Sequence, residues 1–422
     1  MLREPTVAKA KVRLNKIHIR GYRSCKSTQF DLNRELSVLI GRNGSGKTNV
    51  LQGALLLSST PRRRIGPSDV DGSSLRSVVE AEFSIGKRQV NYRGTIRHTT
   101  DDRNRDRVLT TDEQWGLTAF GVKEKWTIVP WRSAHSRQRF LNLQRVHSYL
   151  SNKELDALEK PIPPEAIEAI QEIDKFRASM RYFSASQFTN PSGCPSSFEI
   201  DEDGDLREQF SAALTGTLGT HTRFLYDLYR AYKEDTDAYA AFLSLAGKQG
   251  IGLIDKIAWK EVKISSGGYE VRSGATLVKT ETRTRQMIVP RVYVNKTQLS
   301  FNQLSEGTLK TLALLFYLLT SEEKILLIEE PEICVHHGLL SSVLEVVKNV
   351  SRRKQIVLST HSNFVLDLLT PEDVFIVSNT LETGTVVDRI SESLSAKDFA
   401  ALKIYLEHSG NLGEYWAQGG LN

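Results

Sequence analysis

The stretch "VLIGRNGSGKTNVLQGALLL", Val38 to Leu57, decides the fold of this 422-residue chain. An apolar strand precedes a loop of three glycines and one lysine, and an apolar helix follows that loop. Residues Gly41 to Thr48 fit G-x-x-x-x-G-K-[ST] fully, in the strand-to-helix context that this pattern requires. Glycines let backbone N–H groups converge on phosphates, and the helix N-terminus adds its positive end. The stretch therefore predicts a nucleoside polyphosphate site, which we call the phosphate loop.

Individual roles follow from this pattern. Lys47 is expected to neutralise the β- and γ-phosphate oxygens, and Thr48 to ligate Mg²⁺ through its hydroxyl. The other predicted nucleotide contacts in the stretch are Gly41, Asn43, Gly44, Ser45, Gly46 and Asn49.

The stretch "KILLIEEPE" supplies two carboxylates. Ile325 to Ile328 are four consecutive apolar residues that predict a buried strand, and Glu329 and Glu330 stand at its end. Ligands gather at the carboxyl ends of strands in open α/β sheets. We expect Glu329 to hold the Mg²⁺ shell and Glu330 to act as general base on the attacking water. The alternative, two solvated strand-end acids, is disfavoured by the phosphate loop elsewhere in the chain.

Two further segments carry possible phosphate contacts. In "QLSEGTLKTLALLFYLL", Ser305 to Gly307 open an apolar helix whose unpaired N–H groups suit an anion, although a plain helix cap explains the same residues. The chain's own loop already lines the γ-phosphate site, so a second phosphate-seeking helix makes sense if it reaches another subunit. His361 follows the buried strand in "QIVLST", where it could contact the γ-phosphate or be purely structural.

The remaining pattern predicts an α/β protein with an insertion. Period-two alternation near residues 78–129 predicts an antiparallel sheet, and helix alternates with buried strand from Asn302 onward, as in a largely parallel sheet. The predicted domains are a split nucleotide-binding core with the phosphate loop at 1–60 and 296–422, an antiparallel β lobe with basic loops at 61–150, a helical insertion at 151–250, and strands returning to the core at 251–295.

Composition narrows the class of protein. Net charge is +6 with a pI near 9.0, which tolerates nucleic acid as a partner without requiring it. No apolar run approaches the roughly 18 residues of a membrane span, and the three cysteines are far apart, so we expect a cytoplasmic protein without disulfides. Basic residues gather in Pro61 to Gly66, Tyr92 to Arg107 and Trp131 to Phe140. These segments are either solvated loops or a surface for nucleic acid or a partner.

The order of phosphate loop, "LSEGT", acid-tipped strand and "STHS" resembles the ABC-type ATPase head, on the OLD, RecF and SMC side rather than the transporter side. The resemblance implies ATP and Mg²⁺ as cofactors and a head-to-tail dimer closed over two ATP molecules. Ser305 and Gly307 would then contact the partner's γ-phosphate, and His361 would be the switch histidine.

The resemblance also implies a glutamine that links the Mg²⁺ site to the insertion. Gln187 in "RYFSASQF" is the candidate, and a plain strand-end residue is the alternative. Two positions depart from the pattern: Glu329 stands where transporters use Asp, and His337 replaces the usual proline, next to the expected histidine at His336.

The distances between the motifs along the chain indicate which members of this group the sequence resembles. About 255 residues without heptads separate the phosphate loop from "LSEGT", too few for SMC arms. About 60 residues follow "STHS", where a Toprim domain would need about 100. The acidic run from Asp201 to Asp205 suits a turn better than a metal loop. No nuclease motif is apparent.

Toprim-less OLD-like ATPases resemble the ATPase subunits of anti-phage systems such as Septu and PARIS. This implies an ATPase, not itself a nuclease, that forms a homo-oligomer of dimers and scaffolds a separate nuclease subunit. The alternative hypothesis is a RecF-like repair clamp that binds duplex DNA directly, through the basic segments between residues 61 and 140. A transporter ATPase is a distant third.

Overall fold

The computed structural model of the chain describes residues 11–58, 76–100, 106–121, 127–129, 163–201, 206, 217–266, 269–272, 276–279, 283–320, 324–333, 335, 337–408 and 410–420. Within these ranges no helix is long and apolar enough to cross a membrane. The residues fall into two compact units. The first takes Met1–Tyr182, Glu322–Glu330 and Val347–Asn422, and the second takes Phe183–Ser321 and Pro331–Val346.

The strands in chain order are β1 (Val12–Tyr22), β2 (Cys25–Asp31), β3 (Leu36–Ile40), β4 (Arg76–Ile85), β5 (Arg88–Thr100), β6 (Asp106–Gly116), β7 (Thr127–Val129), β8 (Met180–Ser184), β9 (Phe198–Ile200), β10 (Lys256–Ser266), β11 (Tyr269–Arg272), β12 (Thr276–Lys279), β13 (Arg283–Val294), β14 (Thr297–Leu299), β15 (Ile325–Glu329), β16 (Gln355–Thr360), β17 (Val374–Thr380) and β18 (Gly384–Arg389). The helices are α1 (Lys47–Leu55), α2 (Pro164–Ala178), α3 (Thr217–Glu234), α4 (Thr236–Ala246), α5 (Glu306–Leu319), α6 (His337–Ser351), α7 (Asn363–Leu366), α8 (Ile390–Ser393), α9 (Ala396–His408) and α10 (Leu412–Ala417).

A mixed sheet carries the phosphate loop. Its order is β18-β17-β3-β16-β15-β8. The neighbours β15, β16, β3 and β17 run parallel, and β18 closes the edge antiparallel to β17. Every residue of β3 and β16 is buried, as expected for parallel strands that are covered on both faces. The phosphate loop leaves β3 in the interior of this sheet and α1 begins at Lys47, which confirms the predicted α/β class.

An antiparallel sheet of order β2-β1-β4-β5-β6-β7 forms the second layer of the first unit. Helix α1 contacts β1 and β2 of this sheet as well as β15 and β16 of the mixed sheet. Helix α2 packs on β1 and β4, where the Phe176 ring meets Phe83 edge-on at 6.1 Å between centroids. Both sheets therefore share one apolar core.

The structure differs from the expected strand assignments in two places. The apolar–polar alternation of "KVRLNKIHIRGYRSC" predicts an edge strand. In the structure β1 instead lies inside the antiparallel sheet, because both of its edges form hydrogen bonds, to β2 and to β4. Within the predicted helical insertion, β8 is the edge strand of the mixed sheet beside β15, and four of its five residues are buried. The alternation of apolar and polar residues indicates which face of a strand is buried, but it does not indicate which neighbouring strand pairs with it.

The second unit also differs from expectation. Strands β10, β13 and β14, with β9 on β13, form a sheet of their own instead of returning to the core sheet. Two stretches of the predicted helical insertion, "LREQFSAALTGT" and "HTRFLYDLYRAYKEDTDAYAAFLSLA", carry apolar residues at helical spacing. The second stretch forms two helices, α3 and α4, because Asp235 caps α4 by accepting from Ala238 N at 3.3 Å. In the first stretch Leu206 instead bridges to Ile200, and residues 207–216 lie outside the described ranges.

Arg177 ties α2 to the antiparallel sheet. Its guanidinium donates to Leu57 O at 2.9 Å, to Asp174 at 2.7 Å and to the Tyr92 hydroxyl at 2.6 Å, and it lies 3.2 Å from Glu113 Oε1. Burial would lower the pKa of this guanidinium, but the surrounding Tyr92, Glu113 and Asp174 oxygens raise it overall. The cation is therefore held charged inside the protein.

Arg177→Met is expected to lower the free energy of unfolding by about 3 kcal/mol, because it leaves the partly buried carboxylates of Glu113 and Asp174 without their cation. Lys175→Met is the matched control on the same helix. The Lys175 side chain is 67% exposed, so its loss should change stability by no more than about 0.5 kcal/mol. Urea unfolding followed by circular dichroism measures both, and equal losses in the two variants would contradict a structural role for the buried cluster.

Candidate nucleotide-binding site

The phosphate loop is packed against the β17–β18 hairpin, and this contact requires glycine. Gly46 has φ +100°, and a Cβ there would lie 2.2 Å from Thr385 Oγ1. A Cβ on Gly41 would lie 2.3 Å from the carbonyl oxygen of Val377. Both distances are too short for real atoms, so these positions exclude any side chain. The loop that the sequence predicted is thereby held in one conformation by tertiary contacts.

Lys47 is buried and faces its own loop. Its ammonium donates to Gly41 O at 2.7 Å and to Arg42 O at 3.3 Å. Beside it, the Ser45 hydroxyl is buried, and it has no hydrogen-bond partner among the described residues. A buried, unsatisfied donor is costly unless a ligand completes it. The loop therefore fits a phosphate oxygen at this position.

Asn43 and Gly44 are exposed at the tip of the loop. The side chain of Asn49 is turned away from it: its amide donates to Ser24 Oγ at 2.7 Å and its carbonyl accepts from Arg23 at 3.2 Å. The Asn49 side chain therefore stabilises the turn between β1 and β2, and its amide is engaged there rather than directed at the phosphate loop.

Glu329 lies at the carboxyl end of β15 and is held at both oxygens. The Thr48 hydroxyl donates to Oε1, and the Tyr182 hydroxyl donates to Oε2. A hydroxyl and a carboxylate are the hard oxygen ligands that Mg²⁺ prefers. This donor set fits the predicted Mg²⁺ ligands Thr48 and Glu329. Sequence reasoning missed Tyr182, although it stands in the quoted "RYFSASQF" as a polar-tipped aromatic in a buried strand.

Glu330 has an unusual backbone. Its φ is +44°, in the left-handed region that a non-glycine residue occupies at a cost of about 1–2 kcal/mol. Its N–H donates to Ser359 O at 2.9 Å, and its Oε1 lies 3.2 Å from His361 Nδ1. Such conformations persist where the surrounding structure imposes them, and they cluster at active sites. The conformation turns the Glu330 carboxylate out of β15 toward His361.

The Glu330 and His361 side chains remain accessible, with exposed fractions of 26% and 46%. When Nδ1 carries its proton, the imidazole donates to one carboxylate oxygen and leaves the other free to accept from water. Two parallel neighbours, β15 and β16, therefore bring together the residues predicted as base and switch histidine. Their catalytic roles stay predictions.

Ser305, Gly307 and Gln187 belong to the second unit. Ser305 caps α5 by accepting from Thr308 N at 3.2 Å, and it is exposed together with Glu306 and Gly307. The hydrogen bond from Lys310 lowers the pKa of the Glu306 carboxyl. Gln187 lies in a single 3-10 turn, Ala185–Phe188, after β8. The predicted roles of Ser305 and Gly307 toward a partner subunit, and of Gln187 toward Mg²⁺, stay predictions.

Several predicted features lie outside the described residues. These are His336, most of the acidic run 201–205, and the basic segments 61–66 and 131–140. His337, which replaces the usual proline, begins α6.

Two family models match the chain, one on each side of the middle region. Residues 13–99, with the phosphate loop, match a family described as "AAA ATPase domain". Residues 288–367, with Ser305, Glu329, Glu330 and His361, match one described as "AAA domain, putative AbiEii toxin, Type IV TA system".

Curated relatives are RecF proteins, described as DNA replication and repair proteins. The one from Shewanella piezotolerans is 28% identical over 155 residues, which cover 32% of this chain and 43% of RecF. The one from Francisella tularensis subsp. holarctica is 21% identical over 194 residues, 42% of this chain and 56% of RecF. The matches thus span about half the length of these relatives.

Solved SMC heads are also similar. An SMC head bound to the C-winged helix domain of ScpA has a TM-score of 0.44 at 12% identity, covering 92% of this chain and 99% of that one. The SMC head domain from Thermotoga maritima has a TM-score of 0.40 at 12% identity, covering 89% and 98%. These scores are low, so the fold assignment depends on the sheet order and the phosphate loop. Together with that geometry, the two ATPase-domain matches and the similarity to RecF over part of the chain support an ATPase.

Proposed function

We propose that the chain binds and hydrolyses ATP with Mg²⁺ in sandwich dimers, and that the nucleotide state regulates a separate nuclease subunit in bacterial anti-phage defence. The hydrolytic part of the proposal rests on Thr48, Glu329, Glu330 and His361, which lie together at the carboxyl ends of the parallel strands of the mixed sheet. Ligands of open α/β sheets bind at these strand ends.

The described residues would share the work of hydrolysis. Glu330 would accept the proton of the attacking water, and His361 would hold one Glu330 oxygen so that the other faces the water. Bound Mg²⁺ would offset charge on the phosphate oxygens, held through Thr48 and Glu329. Tyr182 would keep Glu329 oriented by its hydrogen bond to the second oxygen. Lys47 would exchange its contacts with loop carbonyls for phosphate oxygens.

The dimer proposal draws on α5. Its first residues, Ser305 to Gly307, are exposed, so a phosphate on another subunit could approach the helix N-terminus. Each chain would then complete its neighbour's site, and ATP would stabilise the closed dimer. If ATP acts mainly as such a clamp, turnover should stay well below about 10 s⁻¹, a typical enzyme value.

The nuclease-scaffold part depends on the resemblance to Septu and PARIS ATPase subunits. A nuclease that binds the closed and open dimers with different affinity would be held or released as the populations shift. This difference in affinity is sufficient for the nucleotide state to control the nuclease, so the ATPase needs no nucleolytic residues of its own.

The second candidate is a RecF-like clamp on duplex DNA, which the RecF relatives favour. Its basic surface was expected in part on β5. There Arg88 pairs with Glu165 at 2.7 Å, and Arg93 shares Glu80 with Arg20 of β1. Because these arginines already have acidic partners, the described part of that surface offers less excess charge than the sequence suggested. The clamp hypothesis predicts strong salt dependence of DNA binding.

The deciding experiment is purification of tagged Glu330→Gln from its native host with ATP and Mg²⁺, followed by native mass spectrometry and identification of bound proteins. A stoichiometric nuclease on an even-numbered oligomer would support the scaffold. A bare dimer with DNA as its companion would favour the clamp. Tagged Lys47→Ala, prepared in the same way, is the control, because a nucleotide-dependent partner should be absent from it.

A further inference from the structure

A second candidate ligand site lies in the second unit, apart from the phosphate loop. An open cavity of about 600 Å³ is formed where α4 ends, β10 begins and the β13–β14 turn reverses the chain. The charged residues in its lining are Lys248, Asp255, Lys256 and Lys296, with Tyr293 beside them. We call it the lysine cavity. Its size falls in the range of small-molecule sites, about 300–1,000 Å³.

The lysine cavity has an excess of positive charge. Asp255 accepts the backbone N–H of Lys296 at 2.7 Å and lies 3.1 Å from the Lys248 ammonium. Both contacts lower the pKa of Asp255, so it stays a carboxylate and offsets one lysine. Lys248 forms the ion pair with Asp255, and the charge of Lys296 also acts on that carboxylate. Three lysines and one aspartate line the cavity in the described part of the chain, so a net positive charge is left for an anionic ligand.

A side-chain contact orients Lys256, and the backbone conformation of the turn positions Lys296, although both residues are exposed. The Lys256 ammonium lies 4.5 Å from the centre of the Tyr293 ring, its cross-strand neighbour, and Tyr293 donates its hydroxyl to Gln298 at 2.9 Å. Lys296 has φ +66° in the turn after Asn295, whose φ is +49°. Turns with two positive φ angles favour glycine at the second position. Lys296 therefore adopts a sterically unfavourable backbone conformation at a position that lines the cavity.

The end of α4 does not oppose an anion here. A helix C-terminus carries negative partial charge on its free carbonyls, which would repel a phosphate. In α4, however, Leu245 O accepts from Ile251 N at 2.7 Å and Ala246 O accepts from Leu253 N at 2.8 Å. These carbonyls are occupied by the following loop. The electrostatics of the lysine cavity are therefore set by its lysines.

We propose that the lysine cavity binds a small phosphorylated molecule of nucleotide size. Lys256 and Lys296 would hold the phosphate, since ammonium groups bind phosphate as point charges. The remaining volume, beside the edge of the Tyr293 ring, would take the organic part. The site is independent of ATP hydrolysis at the phosphate loop, and the proposal does not depend on the function proposed above.

The test uses the full chain with Lys47→Ala, so that the phosphate loop does not contribute. Calorimetric titration with AMP and ribose 5-phosphate is expected to show binding, and titration with adenosine, which lacks the phosphate, is not. The double variant Lys256→Ala, Lys296→Ala should weaken AMP binding at least about 10-fold, because the loss of one charge-assisted hydrogen bond already lowers affinity by about that factor. Lys260→Ala with Lys263→Ala is the matched control, because both lysines are exposed on β10 but do not line the cavity.

Lys296→Gly separates binding from folding. Glycine accepts the positive φ without strain, so this variant should keep or raise the melting temperature and still lose AMP affinity. Absence of binding by AMP and ribose 5-phosphate up to about 10 mM would overturn the proposal. So would equal affinity in the cavity and control variants, or a preference for a single-stranded oligonucleotide that both pairs of substitutions weaken equally.

Discussion

Glu330→Gln is expected to reduce ATP turnover at least about 100-fold while ATP affinity stays near that of the wild type. A positioned general base contributes about 10²–10⁴-fold to rate, and glutamine cannot accept the proton. Binding should survive because the change is nearly isosteric and leaves Lys47, Thr48 and Glu329 in place. At 3.2 Å from His361, an amide oxygen can still accept the imidazole hydrogen bond, so the geometry of the site is kept.

Single-turnover phosphate release and equilibrium ATP binding measure the two effects separately. Glu345→Gln is the matched control, an exposed glutamate on α6 that loses the same charge. It should hydrolyse ATP at the wild-type rate. If Glu330→Gln also does so, Glu330 is not the base, and the left-handed backbone there serves only to end β15.

Lys47→Ala is expected to weaken ATP binding at least about 100-fold. Charge-assisted hydrogen bonds contribute about 1.5–3 kcal/mol each, and this ammonium is placed to make more than one to the phosphates. It is also buried and anchored to the carbonyls of Gly41 and Arg42, so its removal loosens the loop that presents the backbone N–H groups. Both effects act in the same direction on affinity.

Fluorescent ATP analogue titration measures this loss, and a melting curve shows whether the rest of the first unit is intact. Lys16→Ala is the control, because Lys16 is a partly exposed β1 lysine outside the phosphate loop that forms a 3.6 Å ion pair with Asp31. ATP affinity should be unchanged in that variant. Wild-type affinity in Lys47→Ala would mean that the glycine-rich turn does not hold the phosphates, and the nucleotide site would have to lie elsewhere.

Sequence alone predicted the parts of the site that depend on local chemistry. The loop from Gly41 to Thr48 must be glycine-rich for its backbone to approach phosphate, so its pattern is visible in the residues themselves. The apolar runs of β3, β15 and β16 likewise mark strands buried on both faces. The order of these segments along the chain then placed Glu329, Glu330 and His361 at strand ends without reference to coordinates.

Partners distant in sequence could not be predicted in this way. Tyr182 reaches Glu329 only because β8 pairs at the edge beside β15, and Asn49 turns to Ser24 only because α1 packs on the β1–β2 hairpin. The lysine cavity joins residues from α4, β10 and the β13–β14 turn that share no motif. Local propensity and periodicity predicted the buried strands and the phosphate-binding turn of the site, but not β8, which lies within the predicted helical insertion. Strand pairing, which depends on burial and hydrogen bonding between distant segments, decided which side chains meet.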